Sequence, residues 1–151
     1  MSRQAASTVP VRTKRWNDPR EAEDGYRLLI CRFRPRGVSK EDETWDAWCQ
    51  ALAPSAELHA AAYGKGQAPI AFEEYERRFR QEMTRQKFWL EGFAAHVRRG
   101  DTITLLCSSA CVDEARCHRT IVKELLEEIS SGPQAEPARP AARVVRRSRP
   151  A

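Results

Sequence analysis

The amino-acid sequence predicts a small α/β layered domain with a mostly parallel sheet and several helices. Two apolar runs of strand length, at 26–33 and 102–107, stand on either side of a long segment with helical periodicity, and 13–16 is a candidate for a third strand. Strands joined by a crossover of about a dozen residues or more pair in parallel, and crossover helices then cover the sheet. At 151 residues the chain is long enough for one such domain with its own core.

The first apolar run, YRLLICRF, is followed closely by Pro35 and Gly37, so it predicts a buried strand that ends in a turn. Apolar residues then recur at i, i+3, i+4 and i+7 over 45–52, which predicts an amphipathic helix that ends before the next proline. Ser55 is placed to cap a short helix that stops at Gly64.

The second half of the chain predicts three more helices and a central strand. Two apolar stripes at helical spacing are divided near Thr84, and Gly100 ends the second of them. The run TITLLC at 102–107 lacks polar alternation, which is typical of a central parallel strand covered on both faces. A last helix is predicted to begin at Asp113 or a neighbouring residue and to end before Gly132.

The net charge of +5 is carried by the two ends of the chain. Residues 1–20 and 134–151 each hold five basic side chains and one acidic side chain, so residues 21–133 have a net charge of −3. The last segment is rich in proline and arginine and has too few bulky apolar residues to offset the entropy of ordering. We therefore predict a flexible basic arm at 1–11, a folded domain at 12–132 and a disordered tail at 133–151.

The composition excludes a membrane-spanning protein and indicates a reducing compartment. No stretch approaches the roughly 18 consecutive apolar residues of a membrane span. The count of five cysteines is odd, and 1–20 lacks the apolar core of a signal peptide. We expect a cytoplasmic protein with no membrane partner. The basic tail is of a kind that contacts nucleic acid non-specifically through counterion release.

The residues around the first strand resemble those of a known family. The run that starts at Asp24 reads DGYRLL, and 34–40 reads RPRGVSK. This resembles the signature of the family called domain of unknown function 488, the YeaO-like proteins, and the similarity continues over residues 12–129. The resemblance implies a compact Rossmann-like α/β domain from a bacterium or archaeon. No reaction is assigned to this family, so the resemblance leaves open whether the protein is an enzyme.

Two positions depart from the family pattern. Cys31 stands where members commonly have aspartate, and Arg34 stands where they commonly have tryptophan, so no family role is carried over to either residue. The Cys-His-Arg block at 117–119, together with a cysteine at the end of the preceding strand, resembles one branch of the family.

Three arginines, Arg32, Arg34 and Arg36, follow the first strand in a Pro-Arg-Gly turn. Ligands of parallel α/β domains bind beyond the carboxyl ends of the strands, and arginine suits bidentate recognition of phosphate or carboxylate. We predict that these three residues and Arg119 bind ligand. The alternative is that the arginines form ion pairs with surface glutamates. In that case the Pro-Arg-Gly segment only reverses the direction of the chain and has no role in ligand binding.

A second group of reactive residues is predicted at the second strand. Cys107 ends this strand, and Cys117 and His118 lie near the start of the last helix. A thiol beside His and Arg or at a helix N-terminus favours its thiolate, so we predict catalytic roles for these three residues. Adjacent helical side chains point about 100 degrees apart, so Cys117 and His118 are not expected to face one substrate atom together. His118 also shares an apolar stripe, and a core role is the alternative.

The cysteines between 107 and 118 have the spacing C-x3-C-x5-C-H. This is not one of the usual paired C-x2-C arrangements, and a cysteine that ends a buried strand need not converge with the others. The sequence therefore predicts no metal site and leaves open whether Cys107, Cys111 and Cys117 bind metal. It also names no cofactor, since it lacks a glycine-rich phosphate loop.

Together these features predict a protein that binds or acts on a small anionic ligand, bearing phosphate or carboxylate, in a cleft between the arginines and the Cys-His group. Two alternatives stay open. One is a nucleic-acid-associated or regulatory module that uses the basic arms. The other is a thiol redox sensor built on Cys107, Cys111 and Cys117.

Overall fold

A computed structural model describes residues 10–132, and a four-stranded sheet lies at its centre. The strands are β1 (Val11–Arg15), β2 (Tyr26–Leu29), β3 (Ala47–Trp48) and β4 (Ile103–Cys107). Their spatial order is β1-β4-β2-β3, and each neighbouring pair is parallel. The predicted α/β layered domain with a parallel sheet is confirmed. The basic arm, apart from Pro10 and Val11, and the tail at 133–151 lie outside the described residues.

Four α-helices lie within the described part of the chain: α1 (Ala56–Tyr63), α2 (Phe72–Met83), α3 (Lys87–Arg98) and α4 (His118–Ser131). Ser55 caps α1 by accepting a hydrogen bond from the backbone N of Leu58, and α1 ends at Gly64 in the left-handed conformation, as predicted. The predicted break near Thr84 separates α2 from α3. Between residues 10 and 132, no helix has the length and apolar character needed to cross a bilayer.

The predicted central strand is β4, in which every residue is buried. It pairs with β1 from Val11–Ile103 to Arg15–Cys107. The candidate third strand at 13–16 is thus real, and it begins earlier than expected, at the fully buried Val11. The carboxyl ends of β1 and β4 consequently meet at one edge of the sheet.

The two faces of the sheet are covered differently. Leu28 and Leu105 face the main core, to which all four helices contribute. On the opposite face, Leu29 packs with side chains from loops, Trp16 and Trp45 among them. Helices therefore form one layer, while loop segments close the other side.

The prediction of a helix over 45–52 is wrong. This segment forms β3 and then a 3₁₀ turn, Gln50–Leu52. The backbone N of Cys49 donates to the backbone O of Leu29 at 2.8 Å, so pairing with the edge of the sheet satisfies amides that a helix would have used internally. Trp45 and Cys49 lie in the cores on opposite faces of the sheet, which one helical stripe would not allow.

The last helix begins later than the sequence predicts. Asp113 caps a 3₁₀ turn, Glu114–Arg116, and α4 starts at His118. Cys117 is the N-cap residue of α4 and has extended backbone angles, φ −134° and ψ 144°. Because Cys117 is not helical, its side chain and that of His118 do not diverge as the sequence analysis expected.

A buried ion pair braces the loop-covered face of the sheet. Asp24 and Arg27 are both fully buried, and Arg27 Nη1 lies 2.6 Å from Asp24 Oδ2. Burial opposes ionisation of Asp24, but hydrogen bonds from the Glu21 backbone, Lys14 and Arg27 outweigh it and lower its pKa to about 2. Arg27 also donates to backbone oxygens of four loop residues, namely Trp16, Asp18, Pro19 and Thr44.

Gly25 makes a close backbone approach that no other residue type can make. It has φ +61°, and a Cβ placed on it would lie 2.4 Å from the backbone O of Thr102. We expect Gly25→Ala to lower the free energy of unfolding by about 2–4 kcal/mol, from backbone strain and steric overlap together. Urea unfolding measures this loss.

Gly37→Ala is the matched control for Gly25→Ala. Gly37 has φ +75°, but a Cβ there meets nothing within 4 Å. We expect Gly37→Ala to cost only about 1 kcal/mol, the strain of the backbone alone. Equal losses for the two variants would contradict the close approach of Gly25 to Thr102.

Candidate functional site

A cleft of about 840 Å³ lies beyond the carboxyl ends of the strands, and we call it the carboxyl-edge cleft. In parallel α/β domains the loops that follow the strands converge at this edge, which is where ligands bind. The volume is within the range of small-molecule sites. Helices α1 and α2 supply aromatic and imidazole side chains to the wall, namely His59, Tyr63, Phe72 and Tyr75.

Three of the four arginines predicted to bind ligand line the carboxyl-edge cleft. Arg34 is already paired, because its Nη2 lies 2.6 Å from Glu43 Oε2. Arg32 donates through Nε to the backbone O of Pro54 at 2.8 Å. Arg36 is exposed, and its side chain forms no hydrogen bond or ion pair with any residue from 10 to 132. Arg36 is therefore the arginine of this turn that is most available to a ligand.

Arg116 is a cleft cation that the sequence analysis did not identify. It ends the 3₁₀ turn before α4, and its guanidinium carbon lies 5.2 Å from the ring centroid of Phe72. Like Arg36, it is exposed, and its side chain has no hydrogen-bond or ion-pair partner within the described residues. The C-x4-R spacing from Cys111 to Arg116 is the local signal for it, and the folding of the loop after β4 brings both residues to the cleft.

Arg119, the fourth predicted ligand-binding arginine, is not among the side chains that line the cleft. Only 4% of its surface is exposed. Its Nη2 donates to the backbone O of Cys111 at 3.2 Å, and its Nε is buried with no hydrogen-bond partner in the described part of the chain. Arg119 thus lies behind the cleft, next to the loop that carries Cys111.

Three thiols meet at the side of the cleft formed by β4 and α4, and we call them the cysteine cluster. Cys107 ends β4, Cys111 lies in the following loop and Cys117 caps α4. Their three Sγ atoms all lie within 4.8 Å of one another. Cys107 and Cys117 are buried with their Sγ atoms 3.4 Å apart, whereas Cys111 is only partly buried. All three line the carboxyl-edge cleft.

His118 faces the cysteine cluster through one ring nitrogen. Its Nε2 lies 2.7 Å from the backbone O of Ile30, which can only accept, so Nε2 carries the proton. Its Nδ1 lies 3.9 Å from the Sγ of Cys107 and 4.0 Å from the Sγ of Cys117. The expectation that His118 and Cys117 cannot face one atom together is therefore wrong, because Cys117 precedes the helix.

His118 also packs in the core, as the alternative interpretation had it. Its ring centroid lies 5.5 Å from that of Phe79 in an edge-on arrangement. Burial lowers the pKa of His118 to about 4, although the hydrogen bond to Ile30 acts in the opposite direction. The imidazole is consequently neutral at pH 7, and its Nδ1 lone pair is available to accept a hydrogen bond from a thiol or to bind a metal ion.

The thiols of the cysteine cluster do not ionise alike. Hydrogen bonds from Cys107 and Cys117, with the charge of Arg119, hold the pKa of Cys111 well below its usual range. The hydrogen bond to Cys111 and burial raise the pKa of Cys107, and hydrogen bonds to Cys107 and Cys111, together with burial, raise the pKa of Cys117. Cys111, which is partly exposed, is therefore the thiol of the cluster that ionises most readily.

The fold and this cleft define a class of protein: a single parallel α/β domain with a Cys-His cluster and arginines at the carboxyl edge of its sheet. A family model described as "Active DUF488-N3 subclade" matches residues 11–130. The chain therefore belongs to the domain of unknown function 488 family, the YeaO-like proteins, as its DGYR and PRGVSK segments indicated.

Similar curated proteins come from enteric bacteria and mycobacteria. The uncharacterized protein YeaO of Escherichia coli K12 is 44% identical over 55 residues, which cover 36% of this chain and 48% of YeaO. The uncharacterized proteins Rv3073c of Mycobacterium tuberculosis H37Rv and Mb3100c of Mycobacterium bovis are each 33% identical over 73 residues, covering 48% of this chain and 59% of the relative. The chain thus spans about half the length of these relatives. No solved structure matches it.

Proposed function

We propose that this protein binds a small anionic ligand, bearing phosphate or carboxylate, in the carboxyl-edge cleft and holds it against the cysteine cluster and His118. The observation that supports this most is the pair of free guanidinium groups, Arg36 and Arg116, on one concave surface. The described residues hold 20 basic and 20 acidic side chains, so this positive charge is local and does not reflect a basic domain.

Each predicted site residue has a distinct part in this proposal. Arg36 and Arg116 contact the anion, with Arg32 beside them. Arg34 braces the turn through Glu43. Arg119 acts from behind the cleft through the Cys111 loop. The residues that meet the ligand on the opposite side are those predicted to be catalytic, Cys107, Cys117 and His118, with Cys111 added.

The direct test is the affinity for anions when one cleft cation is removed. Isothermal titration calorimetry with inorganic phosphate, a nucleoside monophosphate and a dicarboxylate identifies the anion class that binds. For the best of these, Arg36→Ala is expected to weaken binding by about 10- to 100-fold, the loss of one charge-assisted hydrogen-bonding group.

Arg85→Ala is the control for this test. Arg85 is an exposed arginine between α2 and α3 and does not line the cleft, so the variant removes the same charge elsewhere. We expect Arg85→Ala to bind like the parent protein. Equal weakening by both substitutions, or no binding of any of the three anions by the parent, would remove the proposal.

Thiol redox sensing is a second candidate, favoured by the 3.4 Å separation of the Cys107 and Cys117 Sγ atoms. One molecule of hydrogen peroxide accepts two electrons from the two thiols, a disulfide forms, and the two protons leave in the two waters produced. Peptide mapping after peroxide treatment is expected to show a disulfide between two of Cys107, Cys111 and Cys117, whose Sγ atoms all lie within 4.8 Å of one another. If these thiols stay reduced or oxidise separately, this candidate fails.

The nucleic-acid alternative depends on the arms, which lie outside the described residues, and it stays a prediction. Deleting residues 134–151 is expected to abolish nucleic-acid binding and flatten its dependence on salt. Binding that survives the deletion removes the alternative. We propose that the protein is bacterial and works in the reducing cytoplasm, which its five free cysteines support.

A further inference from the structure

The cysteine cluster has the dimensions of a metal centre. Zn–S bonds of about 2.3 Å at tetrahedral angles place neighbouring sulfurs about 3.8 Å apart. The Sγ atoms of Cys107, Cys111 and Cys117 all lie within 4.8 Å of one another, and the closest pair is 3.4 Å apart. Small side-chain rotations therefore bring all three sulfurs into the coordination shell of one ion.

His118 lies outside the set of ligand atoms that are all within 4.8 Å of one another, but it is oriented toward two of the three sulfurs, and a closer approach of the Cys111 loop would make it a fourth ligand. A histidine that binds metal usually donates its other ring N–H to a carboxylate or a backbone carbonyl, which fixes the tautomer. His118 does this through Nε2 and the backbone O of Ile30, at 2.7 Å. Its Nδ1 then faces the sulfurs of Cys107 and Cys117 at 3.9 and 4.0 Å, close to the roughly 3.6 Å that tetrahedral zinc geometry requires.

The charge around the cluster is compatible with an anionic centre, which either a Cys111 thiolate or a zinc-bound set of thiolates supplies. Arg119 is 4% exposed, and its Nε has no hydrogen-bond partner in the described part of the chain. Burying a guanidinium without an anion is costly, so a compensating negative charge is expected nearby. Three thiolates and one divalent cation carry a net charge of −1, and Arg119 lies against the backbone of Cys111.

We propose that Cys107, Cys111, Cys117 and Nδ1 of His118 bind one zinc ion in a tetrahedral site. Three thiolates and an imidazole select zinc over magnesium or calcium, which prefer oxygen ligands. Zinc drives the thiols to deprotonate, so all three sulfurs bind as thiolates. The zinc site links the end of β4 and the loop that follows it to the start of α4. It also forms one side of the carboxyl-edge cleft.

Zinc analysis of the full-length protein, purified under reducing conditions from zinc-supplemented cells, tests this proposal. We expect about one zinc ion per chain and about a tenfold or greater loss of bound zinc in Cys111→Ala. Cys49→Ala is the control, because Cys49 is also a buried cysteine but lies in the core beside Leu52. This variant is expected to keep its zinc.

Two further measurements keep the test decisive if a cysteine variant misfolds. X-ray absorption of zinc in the unsubstituted protein is expected to show three sulfur ligands and one nitrogen ligand. Arg36→Ala is expected to retain zinc while losing anion affinity, so failure of the zinc site and failure of the anion site are separable. A parent protein with no zinc, or with zinc bound by oxygen ligands alone, overturns the proposal.

Discussion

Removing the buried cation Arg27 is expected to lower the free energy of unfolding by about 3–5 kcal/mol. In Arg27→Ala the fully buried Asp24 loses its closest cation, which lies 2.6 Å away. Four backbone oxygens in the loops of that face lose a hydrogen bond at the same time, and that of Asp18 is left with no other donor in the described part of the chain. Urea unfolding followed by circular dichroism measures the loss.

Arg20→Ala is the control for Arg27→Ala. Arg20 forms a 3.1 Å ion pair with Asp46, but its side chain is 47% exposed. An exposed pair contributes up to about 1 kcal/mol, so this variant is expected to unfold nearly like the parent. A loss below about 1 kcal/mol for Arg27→Ala would show that the buried ion pair does not brace the fold.

Truncating Phe79 is expected to cost a similar amount, about 3–5 kcal/mol, and to disturb the site as well. Phe79 is fully buried, and its ring packs between Tyr75 and His118. The cavity left by Phe79→Ala removes the support on one side of the His118 ring. We therefore expect zinc content to fall along with the free energy of unfolding.

Phe88→Ala makes the same chemical change at a solvent-exposed position. Phe88 is on α3 and is 79% exposed, so its removal is expected to change the unfolding free energy by no more than about 0.5 kcal/mol. Equal effects of the two truncations would contradict the placement of Phe79 in the core beside His118.

The sheet was predictable where the sequence carries an unbroken signal. The run TITLLC has no charged residue to place on an exposed face, and β4 is indeed the buried central strand. The short helix after Ser55 was predictable because its cap and its terminal glycine are local features. The segment 45–52 was not, because its helical spacing of apolar residues is coincidental and pairing with β2 decides its structure.

The candidate site was predictable in part. Arg36 lies in the turn after β2, and Cys107 is the last residue of β4. The parallel sheet brings both residues to one edge, as the sequence predicts. The roles of Cys111 and Arg116 depend on how the loop after β4 folds back, which local sequence does not encode. The contact between Cys117 and His118 was excluded because both residues were assumed to be helical, whereas α4 begins only at His118 and Cys117 is its extended N-cap residue.

The central claim is that the arginine turn and the cysteine cluster form one ligand site. The most direct measurement is the rate at which iodoacetamide modifies Cys111, with and without a saturating concentration of the bound anion, in protein of constant zinc content. We expect the anion to slow modification at least about tenfold in the parent and in Arg85→Ala, since a bound ligand covers the partly exposed thiol.

In Arg36→Ala the same anion concentration is expected to leave the rate nearly unchanged, because the site is no longer occupied. A Cys111 rate that is the same with and without saturating anion in the parent protein would contradict the claim, since it would place the bound anion away from the cysteine cluster.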